Sequence, residues 1–390
     1  MFRFFTAGES HGQGLVAWVS GLPAGIPVDL AIINRELKRR QGGYGRGGRM
    51  KIETDQADIL SGVRRGKTTG APVAMVIWNK DWENWKEALP VEEHPDTPQK
   101  YKGLNPPRPG HADLAGSLKY NLHEARYVLE RASARESAAR VAAGALAKLL
   151  LAQVGIEVLS HVLSVGDVQS NRSPGWDEIK QLCARDEILF NCADAAAEQK
   201  MKEAVDEVLR TGDTLGGVFE VVAHNVPPGL GTHANWDERL DGLLAQAVMS
   251  LQAVKGVEIG TGIESAVSLG SKVHDPIDYD RSSKKFTRPE NHAGGLEGGI
   301  SNGEDIVVRG YLKPISTLRR PLQSVHMETK EVVKAAYERS DVCVVPAAGV
   351  AAEAMVSLVL ARCLLEKLGG DSLEEMRRNF EGYQAQLRAF

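Results

Sequence analysis

Cysteine is scarce in this chain. Its 390 residues hold four, Cys183, Cys192, Cys343 and Cys363, and no two form a C-x-x-C pair. That excludes a disulfide scaffold and leaves reduced thiols in a cytoplasmic protein as the expectation. An excess of one charge is also missing. Lys and Arg number 47 against 51 Asp and Glu, for a net charge of -4. A whole-chain basic footprint for nucleic acid is therefore absent, and any anion site must be a local cluster. No apolar run approaches the ~18 residues of a membrane span, so no membrane partner is expected. The opening residues, Met1-Phe2-Arg3-Phe4-Phe5-Thr6, lack the long apolar core of a signal peptide. With 43% hydrophobic and 25% charged residues, the composition is that of an ordinary globular protein.

Glycine, by contrast, is plentiful: 40 residues, gathered at 8–25, 42–48, 212–231 and 294–303. Tight turns between strands account for such clusters, and so does close approach of backbone to a ligand. Three helices are legible. One follows Ser133 and runs to about 154; Ser133 and Glu136 have the spacing of a capping box. A second spans about 236 to 254, with Leu240, Leu243, Leu244, Ala247, Val248 and Leu251 on one face. A third, about 348 to 368, is apolar nearly all round and therefore central. Strand-like runs cover 15–19, 71–78, 218–222 and 306–312. Residues 79–109, polar and rich in proline, read as a long surface excursion.

Parts of the chain repeat. Gly8-Glu9-Ser10-His11-Gly12 with Pro23-Ala24-Gly25 matches Gly212-Asp213-Thr214-Leu215-Gly216 with Pro227-Pro228-Gly229, and Ala142-Ala143-Gly144 matches Ala347-Ala348-Gly349. These matches predict one domain over 1–390 made of two pseudo-twofold halves, about 1–205 and 206–390, that share a core. The middle of the chain does not keep the offset, so chance similarity is the competing reading.

Six clusters carry chemistry. The loop Lys38-Arg39-Arg40-Gln41-Gly42-Gly43-Tyr44-Gly45-Arg46-Gly47-Gly48-Arg49-Met50-Lys51 combines basic residues with free backbone and contains no acid. Arginine forks match phosphate and carboxylate; a solvated turn and an RNA-binding Arg/Gly segment are the competing readings. His11 between glycines is placed to hold or deliver a proton. The third cluster is Arg108-Pro109-Gly110-His111-Ala112-Asp113. Glu130-Arg131-Ala132-Ser133-Ala134-Arg135-Glu136 lies at a helix start suited to an anion. Lys313-Pro314-Ile315-Ser316-Thr317 ends an apolar run. Arg339-Ser340-Asp341 is either a surface ion pair or an anion-binding arginine beside a proton-handling carboxylate. No zinc-ligand spacing and no nucleophile elbow occurs, so no metal is expected. Together the clusters ask for a poly-anionic small molecule and for proton transfer by two histidines and an aspartate.

In order and at this spacing, the clusters resemble the chorismate synthase family. The blocks are Gly8-Glu9-Ser10-His11-Gly12 with Gly21-Leu22-Pro23-Ala24-Gly25, Glu130 through Glu136, and Arg339-Ser340-Asp341 with Val350-Ala351-Ala352-Glu353-Ala354. The basic loop, the Arg108 cluster and the Lys313 cluster add three more. The resemblance implies an α+β fold, a β-α-β sandwich of antiparallel sheets around central helices, assembled as a homotetramer. It implies a lyase that eliminates phosphate from 5-enolpyruvylshikimate 3-phosphate to give chorismate, with reduced FMN and no net redox change. NADPH is then the indirect source of electrons through a separate flavin reductase. By the same resemblance Ser133, Ala134, Arg135, Gln252, Ala253, Gly298, Lys313, Pro314, Ile315, Ser316, Thr317 and Arg339 line FMN. Arg40 and Arg46 belong with NADPH, and Ser10, Arg49, Arg108 and Arg135 with substrate. His11 serves as proton donor to reduced flavin, His111 protonates the departing phosphate, and Asp341 assists the flavin in taking a proton. A non-catalytic phosphate-binding protein is the alternative from another class.

Overall fold

Alternation along the first strands sets one wall of the molecule. Leu15, Ala17 and Val19 turn inward and are fully buried, while Val16 is exposed. Their strand, β2 (Gly14–Ser20), pairs antiparallel with β1 (Arg3–Gly8) on one side and β4 (Val73–Trp78) on the other; β3 (Asp58–Ile59) completes a sheet of order β1-β2-β4-β3. The opposite wall is a five-stranded antiparallel sheet. Its order is β8 (Val254–Ile259), β9 (Ile306–Leu312), β7 (Gly217–His224), β5 (Glu157–Val165) and β6 (Val168–Gln169). The computed structural model describes residues 1–47, 54–92, 103–185, 187–338 and 341–390.

The main helices are α1 (Leu30–Gln41), α2 (Asp113–Tyr120), α3 (Ala125–Ala132), α4 (Ser137–Leu151), α5 (Leu240–Met249) and α6 (Val345–Leu368). Helix α4 packs on the first sheet, α6 on the second, and the two pack on each other. The architecture is thus the antiparallel sandwich around central helices that the resemblance implies. Helices α4 and α6 meet almost backbone to backbone at Gly144. A Cβ there would lie 2.3 Å from the Ala354 Cβ and 2.5 Å from its Cα. The five-stranded sheet draws β5 and β6 from before residue 205 and its other strands from after it. Residue 205 itself falls inside the helix Ala195–Thr211.

Several expectations are corrected. Run length excluded membrane spans, yet Val345–Leu368 is long and apolar enough to cross a bilayer; 78% of its apolar window is instead buried inside the protein. Its apolar girth is used by β5 and β7 of the five-stranded sheet and by α1, α4, α5 and the helix Leu373–Ala389. The capping box does not close. Ser133 Oγ accepts from Arg135 N at 3.3 Å, and the Glu136 carboxylate turns to Arg140 at 2.8 Å, so a short 3₁₀ turn precedes α4. The second helix stops at Met249, because Ala253 takes a positive φ of 69° and Val254 enters strand pairing with Leu312. Residues 79–109 are not simply a surface excursion: Asp81, Trp85, Leu104 and Arg108 are buried. All four cysteines are free thiols.

Candidate functional site

The loop between β1 and β2 carries His11, and five interactions fix it. Gly8, at φ +98°, permits the turn, since a Cβ there would sit 2.3 Å from the Gly14 carbonyl oxygen. Asn79 Nδ2 donates to the carbonyls of Glu9 at 3.0 Å and Gly12 at 2.7 Å. The His11 backbone N–H donates to Glu130 Oε2 at 2.6 Å, and its ring Nδ1 lies 2.9 Å from Glu130 Oε1. Trp85 stacks on the imidazole. Next to His11, Ser10 Oγ donates to Ser133 Oγ at 3.1 Å.

Two arginines from distant segments share one carboxylate. Arg40, at the end of α1, donates to Asp55 Oδ2 at 2.8 Å, and Arg135 donates to Asp55 Oδ1 at 2.6 Å. Arg135 also reaches Asn79 Oδ1 through Nε and Nη2, at 3.0 and 2.9 Å. Burial opposes ionisation of Asp55, but the two guanidinium groups outweigh it and hold the carboxyl below its usual range. Burial likewise weakens the hold of Arg40 on its proton, with Asp55 opposing. Two cations on one carboxylate leave one positive charge uncompensated in a buried place. Among the described residues, Arg40 Nε has no hydrogen-bond partner there.

The Pro109-Gly110 turn presents His111. Asp113, fully buried at the start of α2, accepts from Arg108 N at 3.0 Å and Arg108 Nε at 2.8 Å, and from the His111 ring. Burial pushes the Asp113 carboxyl upward, but bonds from His111 and Arg108 outweigh it and hold it well below the ordinary carboxylate range. Arg108 Nη1 donates to Thr317 Oγ1 at 2.9 Å, and Lys313 Nζ donates to the Gly110 carbonyl at 2.7 Å. Burial, with Lys255 nearby, lowers the pKa of Lys313. Asp341, before α6, accepts from Gly47 N at 2.5 Å and pairs with Arg46 at 3.1 Å.

These pieces line one cavity of about 390 Å³. It brings together Ser10, His11, Arg40, Arg46, Arg108, His111, Ser133, Ala134, Arg135, Gln252, Ala253, Lys313, Ile315, Ser316, Thr317 and Asp341. Its apolar wall includes Ala347, Ala348 and Ala351 of α6. Pro314 sits between lining residues without lining the cavity itself. Gly298 is not brought to it. That glycine lies in the turn joining Leu296–Glu297 to Ile300–Ser301, held near α5 by the Leu240 N–H to Gly299 carbonyl bond. Arg49 and Arg339 lie outside the described residues. Sequence reasoning missed Trp85, Asp81 and Glu338 in the lining, and the supporting Asp55 and Asn79 behind it. Glu130 stood inside a recognised block with no role attached to it.

The chorismate synthase family model matches residues 2–365. A chorismate synthase of Koribacter versatilis is 65% identical over 395 residues, covering 100% of both chains. One of Aquifex aeolicus is 52% identical over 399 residues, covering 100% of this chain and 98% of that protein. A crystal structure of chorismate synthase superposes with a TM-score of 0.80 at 41% identity, covering 100% of this chain and 99% of the other.

Proposed function

The chain belongs to the chorismate synthase family, and from that premise we propose that it converts 5-enolpyruvylshikimate 3-phosphate to chorismate by 1,4-anti elimination of phosphate, using reduced FMN. The carrying observation is the cavity itself. Two histidines, each backed by a carboxylate, face a set of buried arginines that has more positive charge than its shared carboxylate can offset.

The residues present suit a flavin. Arg40 Nε is a buried donor without a partner among the described residues, and Ala347, Ala348 and Ala351 form a wall on which a flat ring can lie. Ser133, Ala134, Arg135, Gln252, Ala253, Lys313, Ile315, Ser316 and Thr317 would hold it. When bound, reduced FMN supplies electron density that loosens the allylic C–O bond and is returned on product formation.

The protein's own residues bind and move protons. Arg108 and Arg135 orient the substrate's anionic groups through forked donors. His111 delivers a proton to the departing phosphate, and neutralising that leaving group lowers the barrier. His11 and Asp341 keep the protonation state of the cavity correct for turnover. Lys313, half-buried at the cavity, adds a point charge toward the anion. The same reading makes the protein a cytoplasmic homotetramer, with NADPH serving indirectly through a separate flavin reductase.

Anaerobic phosphate release with and without dithionite-reduced FMN tests the reading. Release that depends on reduced FMN is expected. Equal release without flavin, or substrate binding with no release, overturns it; the second outcome leaves a phosphate-binding protein.

A further inference from the structure

We infer that Glu130 and Asp113 are positioning residues: each holds the Nδ1 side of one cavity histidine, so that His11 and His111 exchange protons with the cavity contents through Nε2. The inference rests on the functional reading above, which supplies the proton transfers but assigns nothing to either carboxylate.

The geometry at His11 is doubly specified. One oxygen of Glu130 takes the backbone N–H at 2.6 Å and the other faces ring Nδ1 at 2.9 Å, so one carboxylate sets both the position of the residue and the rotation of its ring. Trp85 against the ring face, with centroids 4.0 Å apart, resists a ring flip. The Glu130 carboxylate is only 2% exposed. The charged groups around it are Arg126 at 3.8 Å and Glu9, whose own carboxyl is pushed up by burial and by Glu130. Glu130 Oε2 accepts the backbone N–H, and Oε1 faces both Nδ1 and the Arg126 guanidinium, so Oε1 is placed as the acceptor and the proton between it and Nδ1 belongs to the ring.

His111 repeats the arrangement with different parts. Asp113 Oδ1 faces its Nδ1, and Arg108 Nη2 lies 3.0 Å from both Oδ1 and Nδ1. A ring N–H and a guanidinium N–H cannot point at each other; both donate to Oδ1. Arg108 thus keeps Asp113 ionised, and Asp113 keeps the proton on Nδ1. Lys313, bonded to the Gly110 carbonyl, is the other cation near this turn.

Doubly protonated His111 breaks its Nε2–H bond and forms an O–H bond on the leaving phosphate as the C–O bond breaks. The ring becomes neutral and keeps its Nδ1–H on Asp113. With the opposite tautomer, Nε2–H in the neutral ring, the return proton would have to arrive at Nδ1, on the side walled off by the carboxylate.

The test combines two measurements. Protein carrying ¹⁵N-histidine, with His11→Asn and His111→Asn used for assignment, is examined by long-range ¹H–¹⁵N spectra without ligands. The Nδ1–H tautomer is expected for both rings, and mixed tautomers for His11 in Glu130→Gln and for His111 in Asp113→Asn. In turnover, Glu130→Gln should lower kcat about ten- to a hundredfold with substrate KM within about threefold, and shift a limb of the pH profile downward; Glu130→Asp should restore part of that shift. Nε2–H tautomers in the parent overturn the inference. So does a Glu130→Gln protein whose melting temperature falls while tautomer and pH limb stay put. If the parent releases no phosphate with reduced FMN, the functional reading fails, and the spectra still decide this one.

Discussion

The indole of Trp85 lies against the imidazole of His11, with ring centroids 4.0 Å apart and planes inclined by 28°. The opening of a proline-rich, polar segment thus forms a wall of the site. Arg126 sits 5.1 Å from the indole centroid and braces the stack. Trp85→Phe should preserve turnover. Trp85→Ala removes a ring pair worth about 0.5–1.5 kcal/mol, so kcat should fall roughly three- to tenfold as His11 loosens. Steady-state kinetics on both variants checks this; equal rates would remove Trp85 from the orientation of His11.

Asp55→Asn strips the shared carboxylate from Arg40 and Arg135. Breaking a buried pair from one side costs about 3–5 kcal/mol, read as a loss in denaturant midpoint at pH 7. The sign of the pH effect follows from the direction of the shift. The folded Asp55 carboxyl is held below its unfolded value. Its contribution is therefore complete above the unfolded pKa of about 3.9 and drains as pH falls below it. The stability gap between parent and variant should narrow as pH drops from about 4. A gap constant down to pH 2 would contradict the assignment.

Gly144→Ala and Gly242→Ala should move stability in opposite directions. At Gly144 the new methyl would meet Ala354 at 2.3 Å, on a helix that cannot yield without displacing a sheet. Overpacking of this kind costs about 1–3 kcal/mol or more, exceeding the propensity gain. At exposed Gly242 in α5 nothing lies within 4 Å, so the substitution should gain about 0.5–1 kcal/mol. Thermal melts of the two variants compare them directly.

Asp341→Asn should lower turnover about a hundredfold, the usual worth of positioned acid–base help. The amide can still accept from Gly47 N, so the loop and flavin affinity should hold. Kinetics paired with flavin titration distinguishes the outcomes. Lost flavin affinity would make the Arg46–Asp341 pair a structural clamp.

Local pattern alone determined the largest elements of this protein. A run apolar on every side becomes α6, because only a position between two packed layers satisfies it. The strand over 306–312 was legible because apolar β-branched residues are bounded there by polar turns. The blocks around His11, Ser133 and Asp341 identify the family because order and spacing survive in a linear reading.

Tertiary structure decided which residues answer one another. Arg39 and Glu353 meet at 2.7 Å across 314 residues, Arg135 and Asp55 at 2.6 Å across 80, and His11 and Glu130 across 119. A glutamate in a helix or an arginine in a glycine loop has the same local propensity whether it faces water or an ion-pair partner. The helix expected through 254 ended at Met249 for a related reason. Its apolar spacing suits a helix face, but the edge of β9 offers Val254 a ladder to join. Local propensities amount to tenths of a kcal/mol per residue. Burying a charge without a partner costs several, so packing between distant segments, and not the nearby sequence, settles where charged side chains end.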